Sequence, residues 1–130
     1  MRVLITGSRD WQDWKLVWSE LGALTLPTAP DVLTVVHGDC PTGADRHARN
    51  WCADTAAHLK RLGVNFYEER HPAKWAEFGK QAGFRRNAQM VGMGADVCLA
   101  FIRNQSRGAS HTASLALAAG IELRTFREDQ

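Results

Sequence analysis

Short apolar runs alternate with segments of helical spacing along the whole chain. Val3-Leu4-Ile5 is continuous and is followed at once by Gly7, which predicts a strand buried on both faces. Trp14, Val17, Trp18, Leu21 and Leu24 then recur at helical spacing, with Asp10 or Asp13 as the cap and Pro27 and Pro30 closing the helix. Residues 32–37 (VLTVVH) predict a second strand. Between 44 and 62, Ala48, Trp51, Cys52 and Leu59 share one helical stripe, which Gly63 ends. Residues 64–69 form a weaker third strand, and His71-Pro72 breaks the pattern. Residues 75–94 predict a third helical region, less regular because of Gly79 and Gly83. Residues 97–102 (VCLAFI) are a fourth, buried strand. A polar loop at 103–108 then leads into an Ala-rich helix ending near Gly120. Residues 121–126 are the last strand, and 127–130 a polar tail.

The resulting β-α-β-α-β-α-β-α-β alternation predicts an α/β fold. A mostly parallel sheet of about five strands carries helices on both faces. With the first strand central, right-handed crossovers give the order 3-2-1-4-5. The chain has 130 residues, enough for one domain with one core, and nothing in 1–130 reads as a repeat or linker.

In an open α/β sheet, ligands bind beyond the carboxyl ends of the strands, where the strand order reverses. The residues after each strand are therefore the candidates. After strand one, Gly7 permits a tight turn, Ser8 offers a hydroxyl and Arg9 a guanidinium suited to phosphate. The alternative for this loop is a plain turn with a surface arginine. After strand two, Gly38, Asp39, Cys40, Pro41, Thr42, Gly43, Ala44 and Asp45 lead directly into a helix, whose first amides and dipole favour an anion. Asp45 either completes a capping box with Thr42 or faces ribose hydroxyls. After strand four, Ser106, Arg107, Gly108 and Ser110 form a second candidate phosphate cradle, or else an ordinary serine cap. The first loop is not GxGxxG, and the second is not a Walker A motif.

The third helical region carries Lys80, Arg85, Arg86 and Asn87. Arg86 and Met90 are four apart and share a helix face, whereas Lys80 and Arg86 do not. Lys80 and Arg85 read as a solvated face. Residues 71–75 form a loop folding over the site, or a connection that packs Trp75 on the core.

Net charge is +2, with 16 basic and 14 acidic residues, too balanced to argue for a nucleic-acid or anionic-membrane binder. The three cysteines form no CxxC pair, and with no secretory or membrane-spanning run they fit a cytoplasmic location. Cys52 and Cys98 read as core. Cys40 lies near a helix N-terminus, where a thiol pKa falls, but no partner base is identifiable. The five histidines show no ligand spacing, His37 reads as a strand end, and neither a metal nor a cofactor is expected.

These segments together resemble the SLOG superfamily, in particular its YspA/cpYpsA-related branch, found in actinobacterial and phage genomes. The resemblance is carried by VLITGSRD at 3–10, VHGDCPTGAD at 36–45, and His71-Pro72-Ala73 with Trp75. Gly79-Lys80, Arg86-Asn87 and Met90 continue it, followed by Gly94-Ala95-Asp96 and Ser106-Arg107-Gly108 with His111. The resemblance implies a Rossmann-like fold that binds, senses or processes a nucleotide or nucleotide-derived signal. It also implies ligand contacts from Arg86 and Asn87, and homodimers formed through helices. LOG-type phosphoribohydrolases of this superfamily cut the N-glycosidic bond of nucleoside monophosphates, so a second expectation is such an N-glycosidase. Arg86 and Met90 match part of their pattern. Their GGxGT loop and the glutamate three residues on are replaced here, with no glutamate after Gly108 before the last helix ends. His111 or Asp45 would have to stand in as the catalytic group, and Ala109 occupies a position where the branch usually has threonine. A third, less favoured expectation is a nucleic-acid or protein interaction module like that of DprA, using Lys80, Arg85, Arg86, Arg103 and Arg107.

Overall fold

A computed structural model describes residues 1–128. Its elements run β1 (Arg2–Gly7), α1 (Trp14–Ala23), β2 (Val32–His37), α2 (Gly43–Arg61), β3 (Asn65–Arg70), α3 (Trp75–Phe78), α4 (Ala82–Gly92), β4 (Val97–Arg103), α5 (Arg107–Ala118) and β5 (Glu122–Glu128). The five strands form one parallel sheet in the order β3-β2-β1-β4-β5, as the alternation predicts.

Strand periodicity divides the core into two layers. Val3 and Ile5 of β1, with Leu33, Val35, Leu99 and Phe101, face Val17 and Leu21 of α1 and Ala48, Trp51, Cys52 and Leu59 of α2. Leu4, Val36 and Cys98 face the opposite way, onto Met90 and Val91 of α4 and Ala116 of α5. Ala100 and Ile102 continue that layer against Ala109 and Ala113. Every residue of β4 is buried. Truncating any large member of these layers to alanine costs about 2–5 kcal/mol.

Of the two cap candidates for α1, Asp13 is the one used, its carboxylate accepting from the Leu16 amide at 3.1 Å. Two boundaries differ from the sequence reading. Residues 75–94 are not one helix. Gly79 takes φ +57, and a 3-10 turn (Gly79–Gln81) separates α3 from α4. The last strand runs through Glu128 because its whole length pairs with β4, Arg103 lying opposite Glu128. The tail expected from 127 therefore begins no earlier than 129, and 129–130 lie outside the described residues. Among the described residues no helix is long and apolar enough to cross a membrane.

Candidate functional site

β1 lies between β2 and β4, so the strand order reverses there. A cavity of about 450 Å³ opens at the carboxyl ends of β1 and β4, between the loops that follow them and α4.

The first two loops brace each other. A Cβ on Gly7 would sit 2.2 Å from the Ala44 Cβ, so this crossing needs glycine. Gly43 has φ +71, and its Cα packs so tightly that a Cβ would lie 2.1 Å from the Ser8 carbonyl oxygen. The Ala44 amide donates to that same carbonyl at 3.2 Å. At least one helix-α2 amide expected to hold an anion is thereby spent inside the protein. Ser8 is buried, its Oγ accepting from the Arg103 amide at 2.7 Å, and it does not line the cavity. Arg9 does line it, and its guanidinium lies 5.4 Å from the Trp75 ring centroid.

Asp39 turns away from the cavity. It adopts φ +55, its amide donates to His37 Nδ1 at 3.0 Å, and its carboxylate faces Arg49 at 4.0 Å. His37 is more than a strand end: fully buried, it accepts at Nδ1, so Nε2 carries the proton that meets Glu68 at 2.7 Å. The Thr42 side chain makes no cap hydrogen bond, so the Thr42–Asp45 capping box does not form. The Asp45 carboxylate instead accepts from the Cys40 amide at 3.3 Å and lines the cavity. Burial pushes its pKa up, and the Arg86 charge only partly offsets it. The Cys40 thiol moves opposite to the sequence expectation: burial, then Asp45, pushes its pKa up, and the Arg86 charge only partly offsets them.

Arg86 is held by backbone. Its Nη1 donates to the Gly38 carbonyl and, at 3.2 Å, to the His71 carbonyl, while Nε donates to Asn87 Oδ1 at 2.8 Å. Gly38 itself does not line the cavity. It makes room for Arg86, since a Cβ there would lie 2.4 Å from Nη1. Asn87 and Met90 join Arg86 on the cavity wall. Lys80 joins them too, because the 3-10 turn removes the helical offset that would separate it from Arg86. Trp75 is not packed in the core. It is 49% exposed, and with Phe84 it forms the aromatic side of the cavity.

The loop after β4 turns towards the cavity. Asn104 and Gln105 take φ +51 and +57, and the Ser106 side chain caps no helix amide. Ser106, Gly108 and Ala109 line the cavity. Ser110 turns instead to a groove beside Ala113, Leu117 and Leu123, and Arg107 does not reach the cavity. His111 packs edge-on against Phe84 at 4.9 Å, outside the lining, with a buried Nδ1 that has no partner among the described residues.

Arg103 lines the cavity; the sequence placed it only in the basic cluster of the interaction-module expectation, not among the nucleotide contacts. It is buried, ion-paired with Glu128, and 3.7 Å from Asp10. Glu128 also accepts from the Gln12 and Asp13 amides, at 3.0 and 2.8 Å, so the end of β5 ties down the first loop. The charge of Arg103 is thus largely answered within the protein. Arg9, Lys80 and Arg86 have no carboxylate at ion-pair distance among the described residues. No group of three potential ligands among the described residues could hold a metal ion.

Strand order and cavity position define a Rossmann-like α/β protein whose pocket lies at the switch point of the sheet. Within that class the chain belongs to the YspA, cpYpsA-related SLOG family, whose model matches residues 1–78. That span includes the first two loops and Trp75. Arg86 and the loop after β4 lie beyond it. The Gene 61 protein of Mycobacterium phage D29 is 46% identical over 125 residues, covering 96% of this chain and 95% of that protein. No solved structure matches the chain.

Proposed function

We propose that residues 1–130 act as one domain that binds a nucleotide or nucleotide-derived ligand in the switch-point cavity. The observation that carries this reading is the cavity's lining. Three cations without ion-pair partners among the described residues and the start of α5 face two aromatic rings across about 450 Å³, a volume within the usual range for small-molecule sites. Arg86, Ser106, Gly108 and the α5 amides take phosphate, Trp75 and Phe84 take the base, and Asp45 and Asn87 suit ribose hydroxyls. Gly7, Ser8, Gly38, Gly43 and Ala44 serve the site by holding its walls. Asp39, Arg107 and Ser110 point elsewhere and carry no ligand contact in this account. Thermal shift against AMP, ADP-ribose and cyclic nucleotides tests the reading. A ligand at 100 times its Kd stabilises by about 2.7 kcal/mol. No shift with any of the panel, or an undiminished shift in Arg86→Ala, contradicts it.

One observation favours a second reading, the nucleoside monophosphate N-glycosidase. Asp45 is a buried cavity carboxyl with a raised pKa, the property required of an acid that protonates a departing base. Free base released by wild type and lost in Asp45→Asn supports it. Equal release from the two rules it out.

A homodimer belongs to the same proposal. The α5 surface presents Leu117, 65% exposed, beside the groove that Ser110 lines. Light scattering at the monomer mass contradicts it.

A further inference from the structure

The lid of the cavity buries almost nothing of itself. No residue of α3 or of the following 3-10 turn is buried, although α3 carries Trp75 and Phe78 one turn apart, 49% and 36% exposed. The two rings form an exposed aromatic pair on a helix with no buried face. Each ring here is paired with a cation: Arg9 lies 5.4 Å from the Trp75 centroid, and Arg85 lies 4.4 Å from the Phe78 centroid. The two rings serve different spaces. Trp75 lines the main cavity, while Phe78 lines a separate groove of about 240 Å³ with Pro72, Lys74, Arg85 and Gln89. Arg86 lines both.

Two aromatic–cation stations on either side of one shared guanidinium match the order of chemistry in a dinucleotide: base, phosphate, base. We propose that the ligand carries two nucleobases joined by a phosphodiester. One base lies in the main cavity against Trp75, the other lies on Phe78 in the outer groove, and the linking phosphate faces Arg86. Charge supports this occupant. Lys74, Lys80, Arg85 and Arg86 surround the stations, with Glu77 the single acidic residue from 74 to 86. Stacking on aromatic rings with a basic border is how proteins hold single-stranded nucleotides. The inference rests on the main cavity being a nucleotide site.

The test compares AMP, a linear diadenylate, a cyclic dinucleotide and a longer single-stranded oligonucleotide by titration calorimetry. Wild type, Phe78→Ala and Lys74→Ala/Arg85→Ala are measured. All three sites are exposed, so the variants are expected to fold, and Phe78→Leu checks for bulk without a π face. At least one two-base ligand should bind about tenfold tighter than AMP. Phe78→Ala and Phe78→Leu should remove that gain while leaving AMP binding unchanged. A preference for the cyclic ligand identifies a small signalling molecule. Affinity that grows with strand length and falls steeply with salt identifies a single strand. If AMP binds and no two-base ligand binds tighter, or if Phe78→Ala weakens all ligands equally, the second station is refuted and the nucleotide site stands. If neither AMP nor any two-base ligand binds, both fall.

Discussion

Adding one methyl group at Gly38 separates the fold from the site. The new Cβ would lie 2.4 Å from Arg86 Nη1, 2.6 Å from Cζ and 3.0 Å from Asp45 Oδ2. All three are side-chain atoms, and the Arg86 head is the far end of a flexible chain. The backbone at Gly38 is not in the left-handed region, so alanine is locally tolerated. The guanidinium must therefore swing out and give up its bonds to the Gly38 and His71 carbonyls. The stability cost should sit at the low end of overpacking, about 1 kcal/mol. Binding should suffer more. Losing a charge-assisted contact to ligand phosphate is worth about 1.5–3 kcal/mol, or roughly 10- to 150-fold in Kd. Gly43→Ala is the contrast. Its Cβ meets backbone, the Ser8 oxygen at 2.1 Å and Arg9 Cα at 2.6 Å, at φ +71, so it should cost several times more stability. Urea denaturation and calorimetry with the best ligand of the panel measure both effects. A Gly38→Ala protein that binds with wild-type affinity would refute the role given to Arg86. One that unfolds as readily as Gly43→Ala would refute the packing argument.

Asp45→Asn should stabilise the protein near neutral pH, because burial raises the Asp45 pKa and the folded state resists its charge. That advantage should shrink as pH falls through the raised folded value and vanish below the unfolded value near 3.8, where the wild-type carboxyl is protonated in both states; a pH-independent difference in denaturation midpoints would contradict it. Glu69 behaves oppositely. Hydrogen bonds from Arg2 and His71 hold its pKa at about 2, so Glu69→Gln should cost stability above pH 4.5, and the cost should disappear as pH falls from 4.5 towards 2. Trp75→Ala should leave the midpoint within about 0.5 kcal/mol, as for exposed sites, yet weaken ligand binding by about 1–3 kcal/mol. Unchanged binding would remove Trp75 from the site. Glu128→Gln should loosen the first loop, read as faster hydrogen exchange at the Gln12 and Asp13 amides, and unchanged exchange would contradict it.

The strand order was legible because the periodicities leave little choice. Continuous runs at 3–5 and 97–102 mark central strands, and the stripe Ala48, Trp51, Cys52 and Leu59 marks the face of α2 that meets them. The three loops could be placed because strand ends dictate them. Which side chains face the cavity could not be read so directly, since that depends on contacts between loops. Asp39 is drawn off by Arg49, Ser8 is taken by the Arg103 amide, and Asp45 turns from its cap to the Cys40 amide. The third helical region misled because Gly79 breaks it at positive φ, and Lys80 lines the same cavity as Arg86. The place of Arg103 on the cavity wall was harder to read because it ends a buried strand, where ion pairs with Glu128 and Asp10 make an arginine tolerable. Its one sequence signal is an arginine directly after six apolar residues of a central strand.

Crystallography of the protein saturated with the tightest ligand of the nucleotide panel tests the central claim most directly. The account predicts density in the switch-point cavity, with phosphate against Arg86, Ser106 and the first amides of α5, and a base against Trp75. Ligand density confined to any other surface, or only solvent in the cavity at saturation, would contradict it.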